Sequence, residues 1–379
     1  MDPILNDKAE RLIPVARPYL AGRKGKFLAE CVEASWISGG KFVREFERLI
    51  AADNSEIPAH GVACNSGTTA LHLALKAIHA LPGESVILPT LTMVAVANAV
   101  RYCGALPRFV DSELFDGNQS IVESVGPLMN KQAGAIIVPH LYGSISEVPS
   151  VLRAAGYDGW IIQDCAESHY GRFADGRKFL SHPKDVLTFS FYANKIIATG
   201  EGGMVVCHDD HMAERLRSLR AHAFTPGDHF NHQELAFGYR MTDLQAAIGI
   251  AQCQRHRKLL RIRDRHSQQY IDRLSSLPWL ELPRRSTGAV WWVFPILVRR
   301  EWSHQITVAR VREVLADHGI ETRRYFRPLH LQQHLQEFAL SGQTFPVACD
   351  LYERGLYLPL YVGLTNDDFA YIANALRKV

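Results

Sequence analysis

Short apolar segments that suit β-strands alternate with helical patterns through the first two thirds of this 379-residue chain. Six such segments are Gly61–Asn65, Ser85–Leu88, Leu106–Val110, Ala135–Pro139, Gly159–Gln163 and Val186–Phe191. Strands separated by helices favour a mostly parallel sheet with helices on its faces, because parallel neighbours need a crossover connection. The chain is therefore predicted to have an α/β fold around such a sheet.

A second, smaller domain is predicted towards the C-terminus, since domains typically hold about 100 to 200 residues. One long helix is expected from Thr242, as its N-cap, to Leu274, and Pro278 follows as a stop. This helix would bridge the two domains. Beyond it, an α+β domain is indicated by strands at Ala289–Val298 and Ile320–Phe326 and by helices at Thr307–His318 and from Asp367. We place the domains at residues 1–255 and 256–379.

The composition argues against a nucleic-acid-binding protein, a disulfide framework and a membrane protein. The chain has 42 basic and 39 acidic side chains, so its net charge of +3 gives no electrostatic case for nucleic acid. Its 7 cysteines are scattered and form no CxxC pair, which argues against disulfides and a zinc site. Residues 1–8 contain no apolar signal segment, and no run of about 20 apolar residues occurs. We expect a cytoplasmic protein without a metal.

One lysine, Lys195, lies between a predicted strand and a glycine-rich turn. The strand ends at Phe191, and the glycines of Thr199–Gly203 let the backbone bend sharply around a ligand. An arbitrary lysine is most often solvated on the surface. A lysine in an apolar pocket, however, becomes nucleophilic and can form a Schiff base with a carbonyl cofactor. Lys195 is therefore a candidate catalytic residue.

The segment Asn65–Ala70 combines a glycine with hydroxyl side chains where a helix is predicted to begin. Backbone amides and the hydroxyls of Ser66 and Thr68 would meet a phosphate at the positive end of that helix. The same residues also suit a helix cap that binds no ligand. Taken alone, the motif leaves both interpretations open.

Two further motifs follow predicted strands. Asp164 stands at the carboxyl end of a strand, where open α/β sheets bind ligands, and a carboxylate there could keep a pyridine nitrogen protonated. Alternatively, Asp164 caps a helix. Met93 lies in Pro89–Val100 and would pack its thioether on a flat ring, although a methionine at helical spacing is more often in the core.

Taken together and in order, these motifs resemble the DegT/DnrJ/EryC1/StrS family of pyridoxal-phosphate aminotransferases that act on sugars. The resemblance covers nearly the whole chain and includes Trp36–Gly40 with Phe46-Glu47, Ser66–Thr68, Pro89–Asn98, Asp164–His169, Ser190–Gly203, Tyr239–Asp243 and Thr322-Arg323 to Pro328–His330. It implies a transferase of fold type I, in which a large domain with a mostly parallel sheet precedes a small α+β domain. It also implies a homodimer in which each subunit completes the other's active site.

The resemblance assigns roles to individual residues. Lys195 would form the Schiff base and move protons, and Asp164 would pair with the pyridine nitrogen of pyridoxal 5'-phosphate. The phosphate would be held by Gly67, Thr68 and Ser190, and the ring would be flanked by Met93 and Glu167. The sugar substrate would be approached by Trp36 and Ser38 of an N-terminal loop and by Arg323 and His330.

Two departures from the family pattern stand out. Gly238 occupies a place where members commonly carry an asparagine that reaches across the dimer to the phosphate, and Met93 replaces a common aromatic residue. The segments Ile13–Pro18, Pro89–Met93 and His140–Gly143 are most similar to the perosamine-synthase-like branch of the family. That similarity implies transfer of an amino group from L-glutamate to a nucleotide-linked 4-keto-6-deoxy sugar.

Three alternatives stay open from the sequence. Sugar dehydratases of the same family carry histidine in place of the lysine, so Lys195 argues for amino transfer. A non-catalytic relative that binds cofactor or sugar would not need Lys195 and Asp164. Decarboxylation or aldol cleavage of an amino acid uses the same two residues, but requires a carboxylate clamp in place of a groove for a nucleotide sugar.

Overall fold

A seven-stranded sheet lies at the centre of the larger part of the protein. The computed structural model describes residues 11–20, 22–112, 133–225, 227–284 and 286–379. The strands of this sheet are β1 His60–Cys64, β2 Ser85–Pro89, β3 Leu106–Val110, β4 Ala133–Pro139, β5 Trp160–Asp164, β6 Asp185–Ser190 and β7 Gly203–Cys207. Their spatial order is β1-β7-β6-β5-β4-β2-β3, and only β7 pairs antiparallel with its neighbours. The mostly parallel sheet is confirmed.

Each of the six predicted strands is present within two residues of its expected bounds, whereas β7 was not predicted. All five residues of β7 are buried, so its sequence has no alternation of apolar and polar residues to mark it. Its antiparallel pairing with β6 returns the chain from the Lys195 loop into the sheet, between β6 and the edge strand β1.

Helices cover both faces of the large sheet. In chain order they are α1 Lys24–Glu33, α2 Lys41–Asn54, α3 Gly67–Ala77, α4 Val94–Tyr102, α5 Val148–Ala154 and α6 Asp210–Leu219. Helix α3 begins at a capping box, because Ser66 Oγ accepts the Thr69 amide (3.2 Å) and Thr69 Oγ1 accepts the Ser66 amide (3.1 Å). The helix therefore begins three residues after the end of β1, at the edge of the sheet.

The single long helix predicted from Thr242 to Leu274 is wrong, because two helices occupy this range. They are α7 Asp243–Cys253 and α8 His256–Leu274. At the break, Arg255 has φ −125° and ψ 9°, and its amide bonds to Gln252 O at 2.8 Å. The His256 ring nitrogen Nδ1 donates a hydrogen bond to the Cys253 carbonyl oxygen at 2.7 Å, so a side chain replaces a backbone donor at the end of α7. The predicted cap at Thr242 is confirmed.

A smaller antiparallel sheet has the order β10-β11-β13-β12. Its strands are β10 Leu280–Glu281, β11 Phe294–Val298, β12 Arg323–Arg324 and β13 Gly355–Leu358, and its helices are α9 Val308–Asp317, α10 Pro346–Arg354 and α11 Asn366–Leu376. A separate hairpin pairs β8 Phe224–Thr225 with β9 Asp228–His232. The strands expected at 289–298 and 320–326 are thus shorter than predicted, because only 294–298 and 323–324 join the sheet.

Helix α8 connects the two halves of the protein. Leu259, near its start, belongs to the apolar core beneath the large sheet, whereas Tyr270 and Leu274 belong to the core of the small sheet. Ile13 also joins the small core and pairs with Ile320. The division after residue 255 falls at the start of α8 and stays a prediction.

The expectation for residues 1–8 lies outside the described residues. The helices that are described include none long and apolar enough to cross a membrane.

Candidate active site

A cavity of about 330 Å³ opens at the carboxyl ends of the parallel strands, the edge at which such sheets bind ligands. Asp164 is the last residue of β5, Ser190 is the last of β6, and Lys195 lies in the loop that follows β6. The seven residues predicted for cofactor binding and catalysis all line it: Gly67, Thr68, Met93, Asp164, Glu167, Ser190 and Lys195. Motifs spread over 129 positions of the sequence thus meet at one place.

The loop that carries Lys195 is closed by backbone hydrogen bonds. Phe191 donates its amide to Gly202 O and accepts that of Thr199, both at 2.8 Å. Gly202 has φ +157°, and a Cβ there would lie 2.5 Å from Met241 Cε and 2.6 Å from Thr199 Oγ1. The loop therefore needs glycine at this position, and its closure holds Lys195 at the cavity.

The Lys195 amine is surrounded by an acid and an aromatic ring. Its Nζ lies 3.6 Å from Glu167 Oε1 and 4.2 Å from the centroid of the Trp292 ring, and its side chain is 11% exposed. Burial raises the pKa of Glu167 to about 7, and the neighbouring Lys195 opposes that rise. The other carboxylate oxygen of Glu167 accepts the Tyr142 amide at 2.8 Å. The acid is therefore fixed in place and able to hold a proton near neutral pH.

Asp164 is buried beside the cavity. Burial raises its pKa, and the effect is opposed by the Ala166 amide, which donates to Oδ1 at 3.1 Å, and by the charge of Lys195. A carboxyl with such an affinity for protons can share one with a basic ring nitrogen. A plain capping role is not needed to explain its position, because the residue ends β5 and lines the cavity.

The start of α3 forms a cup with the end of β6. Gly67 and Thr68 are the first residues of α3, where backbone amides have no partner within a helix and the helix dipole is positive. A Cβ on Gly67 would lie 2.7 Å from Ser190 Cβ and 3.1 Å from Ser190 Oγ, so only glycine lets the two segments approach this closely. Amides and hydroxyls converging on one small space suit a phosphate.

The donor set therefore fits pyridoxal phosphate. The cup matches its phosphate group, Asp164 matches its ring nitrogen, and the amine of Lys195 matches its aldehyde. Met93 precedes α4 and is 47% exposed, which agrees with a place in the cavity wall and not in the core.

The residues predicted to approach a sugar lie outside the lining of this cavity. Trp36 is 60% exposed and donates from Nε1 to Gly39 O at 3.1 Å, and the carbonyl of exposed Ser38 accepts the Asp243 amide at 3.0 Å. Both lie in the segment that leads into α2. The carboxylate of Asp243 holds that segment by accepting the amides of Gly40 (2.9 Å) and Val43 (2.8 Å).

The other two sugar-contact candidates belong to the C-terminal part of the chain. Arg323 starts β12, and its guanidinium bonds to Glu321 Oε1 at 2.8 Å. His330 lies against the end of β2, with its amide and its Nδ1 at 3.2 and 2.7 Å from Thr90 Oγ1. The structure of one chain thus brings neither residue to the cavity, and their contact with sugar stays a prediction.

One part of the cavity wall comes from the side of the smaller sheet and was not predicted from the sequence. Trp292, Phe326 and Tyr357 line the cavity from segments at least 97 residues beyond Lys195. Phe326 lies within the family motif that spans 322–330, although no role was assigned to it, and the consecutive tryptophans at 291 and 292 are the feature that could have drawn attention to Trp292. Nothing in their local spacing connects them with the motif that contains Lys195.

Comparison with known proteins agrees with this geometry. Residues 19–377 match the model of the DegT/DnrJ/EryC1/StrS aminotransferase family. The chain is 37% identical to the GDP-perosamine synthase of Caulobacter vibrioides, covering 97% of this chain and 98% of the relative. It is 34% identical to the Vibrio cholerae GDP-perosamine synthase, with 97% and 99% covered. Among solved structures, S. venezuelae DesV superposes with a TM-score of 0.84 at 27% identity, over 94% of each chain.

These matches extend over almost the full length of the chain and of its relatives, so they concern the whole enzyme and not one shared domain. The predicted fold type I architecture, the aminotransferase activity and the pyridoxal phosphate cofactor are confirmed. The chain belongs to the DegT/DnrJ/EryC1/StrS family of aminotransferases.

Proposed function

We propose that this enzyme transfers an amino group from L-glutamate to a nucleotide-linked 4-keto-6-deoxy sugar. The observation that carries the proposal is the Lys195 amine, buried in the cavity 3.6 Å from Glu167, with Asp164 and the cup of Gly67 and Ser190 in the same wall. The choice of sugar is supported by the 37% identity to a protein named GDP-perosamine synthase.

The cofactor would be held at three points. Gly67, Thr68 and Ser190 would bind its phosphate, Asp164 would share a proton with its ring nitrogen, and Lys195 would take its aldehyde. Met93 and Glu167 would lie beside the ring. Bound pyridoxal phosphate supplies an electron sink and carries the amino group from one substrate to the other.

Lys195 would move the protons. In the first half-reaction its Nζ would take the proton from the α-carbon of the donor, and in the second it would return one to the carbon that receives the amine. Glu167 would hold this amine in place, because its carboxyl is fixed by the Tyr142 amide. Trp292 and Phe326 in the cavity wall would exclude water from the reacting atoms.

We also propose that the enzyme works as a homodimer. Trp36 and Leu235 are 60% and 81% exposed, so each presents a large apolar side chain at the surface, where a second subunit would cover it. The predicted sugar-contact residues of one chain do not line its own cavity, which supports completion of each site by a neighbour. At Gly238, a Cβ would lie 3.0 Å from the His222 ring, so this backbone lies close to that ring.

The test is a spectral titration of the purified holoenzyme. L-glutamate should remove the visible absorption band of the lysine-bound cofactor, and a GDP-linked 4-keto-6-deoxy hexose should restore it and yield an amino sugar by mass spectrometry. UDP-linked and dTDP-linked 4-keto sugars, tested in parallel, identify the preferred nucleotide. D-glutamate and the Lys195→Ala variant serve as controls that should give no change.

The outcomes separate the alternatives. A band that L-glutamate leaves unchanged but another amino acid removes would replace the donor. A deoxygenated sugar without new nitrogen would identify a dehydratase, and carbon dioxide or an aldehyde released from the amino acid would identify another reaction of this fold. A protein that never shows the band with added cofactor would refute the role of Lys195.

A further inference from the structure

Trp292 makes two contacts with the segment that carries Lys195. The face of its indole ring lies 4.2 Å from Lys195 Nζ, and its Nε1 donates a hydrogen bond to Asn194 O at 2.9 Å. The first contact acts on the amine and the second on the peptide bond that joins Asn194 to Lys195. One side chain therefore constrains both the backbone and the end of the lysine.

The place of Trp292 is set by its neighbour in the sequence. Trp291 lies in the core of the smaller sheet and stacks on Phe294, with ring centroids 5.5 Å apart. Trp292 belongs instead to the apolar core that packs against the large sheet, so the two tryptophans enter different cores. With Trp291 anchored in the small core, Trp292 is directed into the cavity.

A buried guanidinium holds this segment from behind. Arg263 of α8 is 5% exposed, and its Nη1 lies 2.9 Å from Trp292 O, 3.3 Å from Trp291 O and 3.1 Å from Leu360 O. Burial lowers the pKa of Arg263 to about 10. A buried cation without partners would cost much free energy. The guanidinium therefore needs its three carbonyl partners, and these contacts hold the segment in place.

The neighbouring turns of α8 extend the same attachment. His266 Nδ1 bonds to Tyr361 O at 3.0 Å, and Tyr270 Oη donates to Pro359 O at 2.8 Å. Arg263, His266 and Tyr270 are spaced three and four residues apart, so they share one face of the helix. That face binds three consecutive carbonyls, 359 to 361, as well as those of the two tryptophans.

We propose that Trp292 is a positioning residue for the Lys195 amine and that Arg263 secures it from α8. The inference rests on the proposed role of Lys195. A lysine side chain has four rotatable bonds, and the indole face favours the rotamers that keep its amine in the cavity. Misplacement of a reacting group by about 1 Å can slow a reaction about 100-fold, so loss of this contact should appear in a rate.

The first readout uses apoenzyme and does not depend on turnover. Pyridoxal phosphate is added to apoenzyme at saturating concentrations, and the limiting rate at which the visible band appears is measured, since this rate reports bond formation by the Lys195 amine once the cofactor is bound. Trp292→Leu should lower the rate at which the band appears about tenfold. Trp292→Phe, which keeps an aromatic face, should lower this rate about threefold. The same order should hold for the kcat of the holoenzyme with L-glutamate, with little change in KM.

Trp291→Phe is the matched control, because phenylalanine keeps an aromatic ring anchored in the small core and leaves the contacts of Trp292 with Lys195 and Asn194. It should lower Tm and leave the rate unchanged. Arg263→Met should slow the appearance of the band about threefold although Trp292 is present. This variant removes a buried charge with three partners. If Arg263→Met does not fold, Arg263→Lys serves as the second variant, and the rate for Arg263→Lys should lie between those of Arg263→Met and wild type.

Two results would overturn the inference: a wild-type rate in Trp292→Leu, or a rate in Trp291→Phe as slow as that in Trp292→Leu. The second result would show that the effect arises from the stability of the small core. Wild-type apoenzyme that gives no band would instead refute the role of Lys195, so the failure of the proposed function is recognised separately.

Discussion

The contact between the start of α3 and the end of β6 makes a sharp prediction for Gly67→Ala. The new Cβ would lie 2.7 Å from Ser190 Cβ and 3.1 Å from Ser190 Oγ, which is closer than carbon atoms pack in proteins. Gly67 is the first residue of a helix, so alanine suits its backbone and the steric contact is the main effect.

The size of the effect follows from the geometry. Relief of the contact requires α3 or Ser190 to move, and overpacking of this kind costs about 1 to 3 kcal/mol. Whichever element moves, the amides of α3 and the Ser190 hydroxyl would no longer converge on the site that we propose for the phosphate. A cost of this size on the bound state should raise the Kd for pyridoxal phosphate about 5-fold to 150-fold.

The assay is titration of apoenzyme with pyridoxal phosphate, followed by the visible band, with Tm of the apoenzyme measured beside it. Ser190→Gly removes the two nearest atoms that the new Cβ would meet and leaves only the Cα at 3.3 Å, so Gly67→Ala combined with Ser190→Gly should bind cofactor nearly as well as Ser190→Gly alone. Equal Kd values for Gly67→Ala and wild type would refute the reasoning. So would additive effects of the two substitutions, because a shared steric contact must be non-additive.

Three further predictions follow from buried carboxylates. In apoenzyme, the raised pKa of Glu167 means that its contribution to stability is lost as pH rises from about 4.3 through about 7, so the Tm of wild type relative to Glu167→Gln should fall over that range in a pH series. Asp164→Asn should retain cofactor, measured by absorbance, but lose most of its kcat in steady-state assays, because an amide cannot share a proton with the ring nitrogen. Asp243→Ala should lower the free energy of unfolding by about 2 kcal/mol in urea titrations, because two buried amides at the start of α2 lose their acceptor, whereas exposed Asp175→Ala should not.

The strands of the large sheet could be predicted because each is a short apolar run between turns. The break between α7 and α8 could not, since Gln254 and Arg255 are both good helix formers. The break is caused by tertiary contacts. The His256 ring stacks on Tyr170, with ring centroids 4.1 Å apart, and the His256 Nδ1 donates to the Cys253 carbonyl oxygen. Contacts with a residue 86 positions away override the local preference.

The site shows the same division. Residues predicted to bind the cofactor occur in short contiguous motifs at strand ends, so their positions follow from the topology of a parallel sheet. Trp292 and Phe326 enter the same cavity from the smaller sheet, and their places depend on how the two halves of the chain pack. Sequence patterns indicate the local structure of each segment but do not indicate how distant segments pack together.

Tyr142 shows how the two halves depend on each other. Its backbone has φ +54°, a conformation that costs a non-glycine residue about 1 to 2 kcal/mol. In that conformation its amide donates to Glu167 at 2.8 Å and its hydroxyl accepts the Phe326 amide at 2.8 Å, while its ring stacks on Tyr325 at 4.5 Å. The strained backbone is therefore held from both sides. Because Glu167 in turn lies against Lys195, we expect a shift of the smaller sheet that moves Phe326 to move the acid beside the Lys195 amine as well.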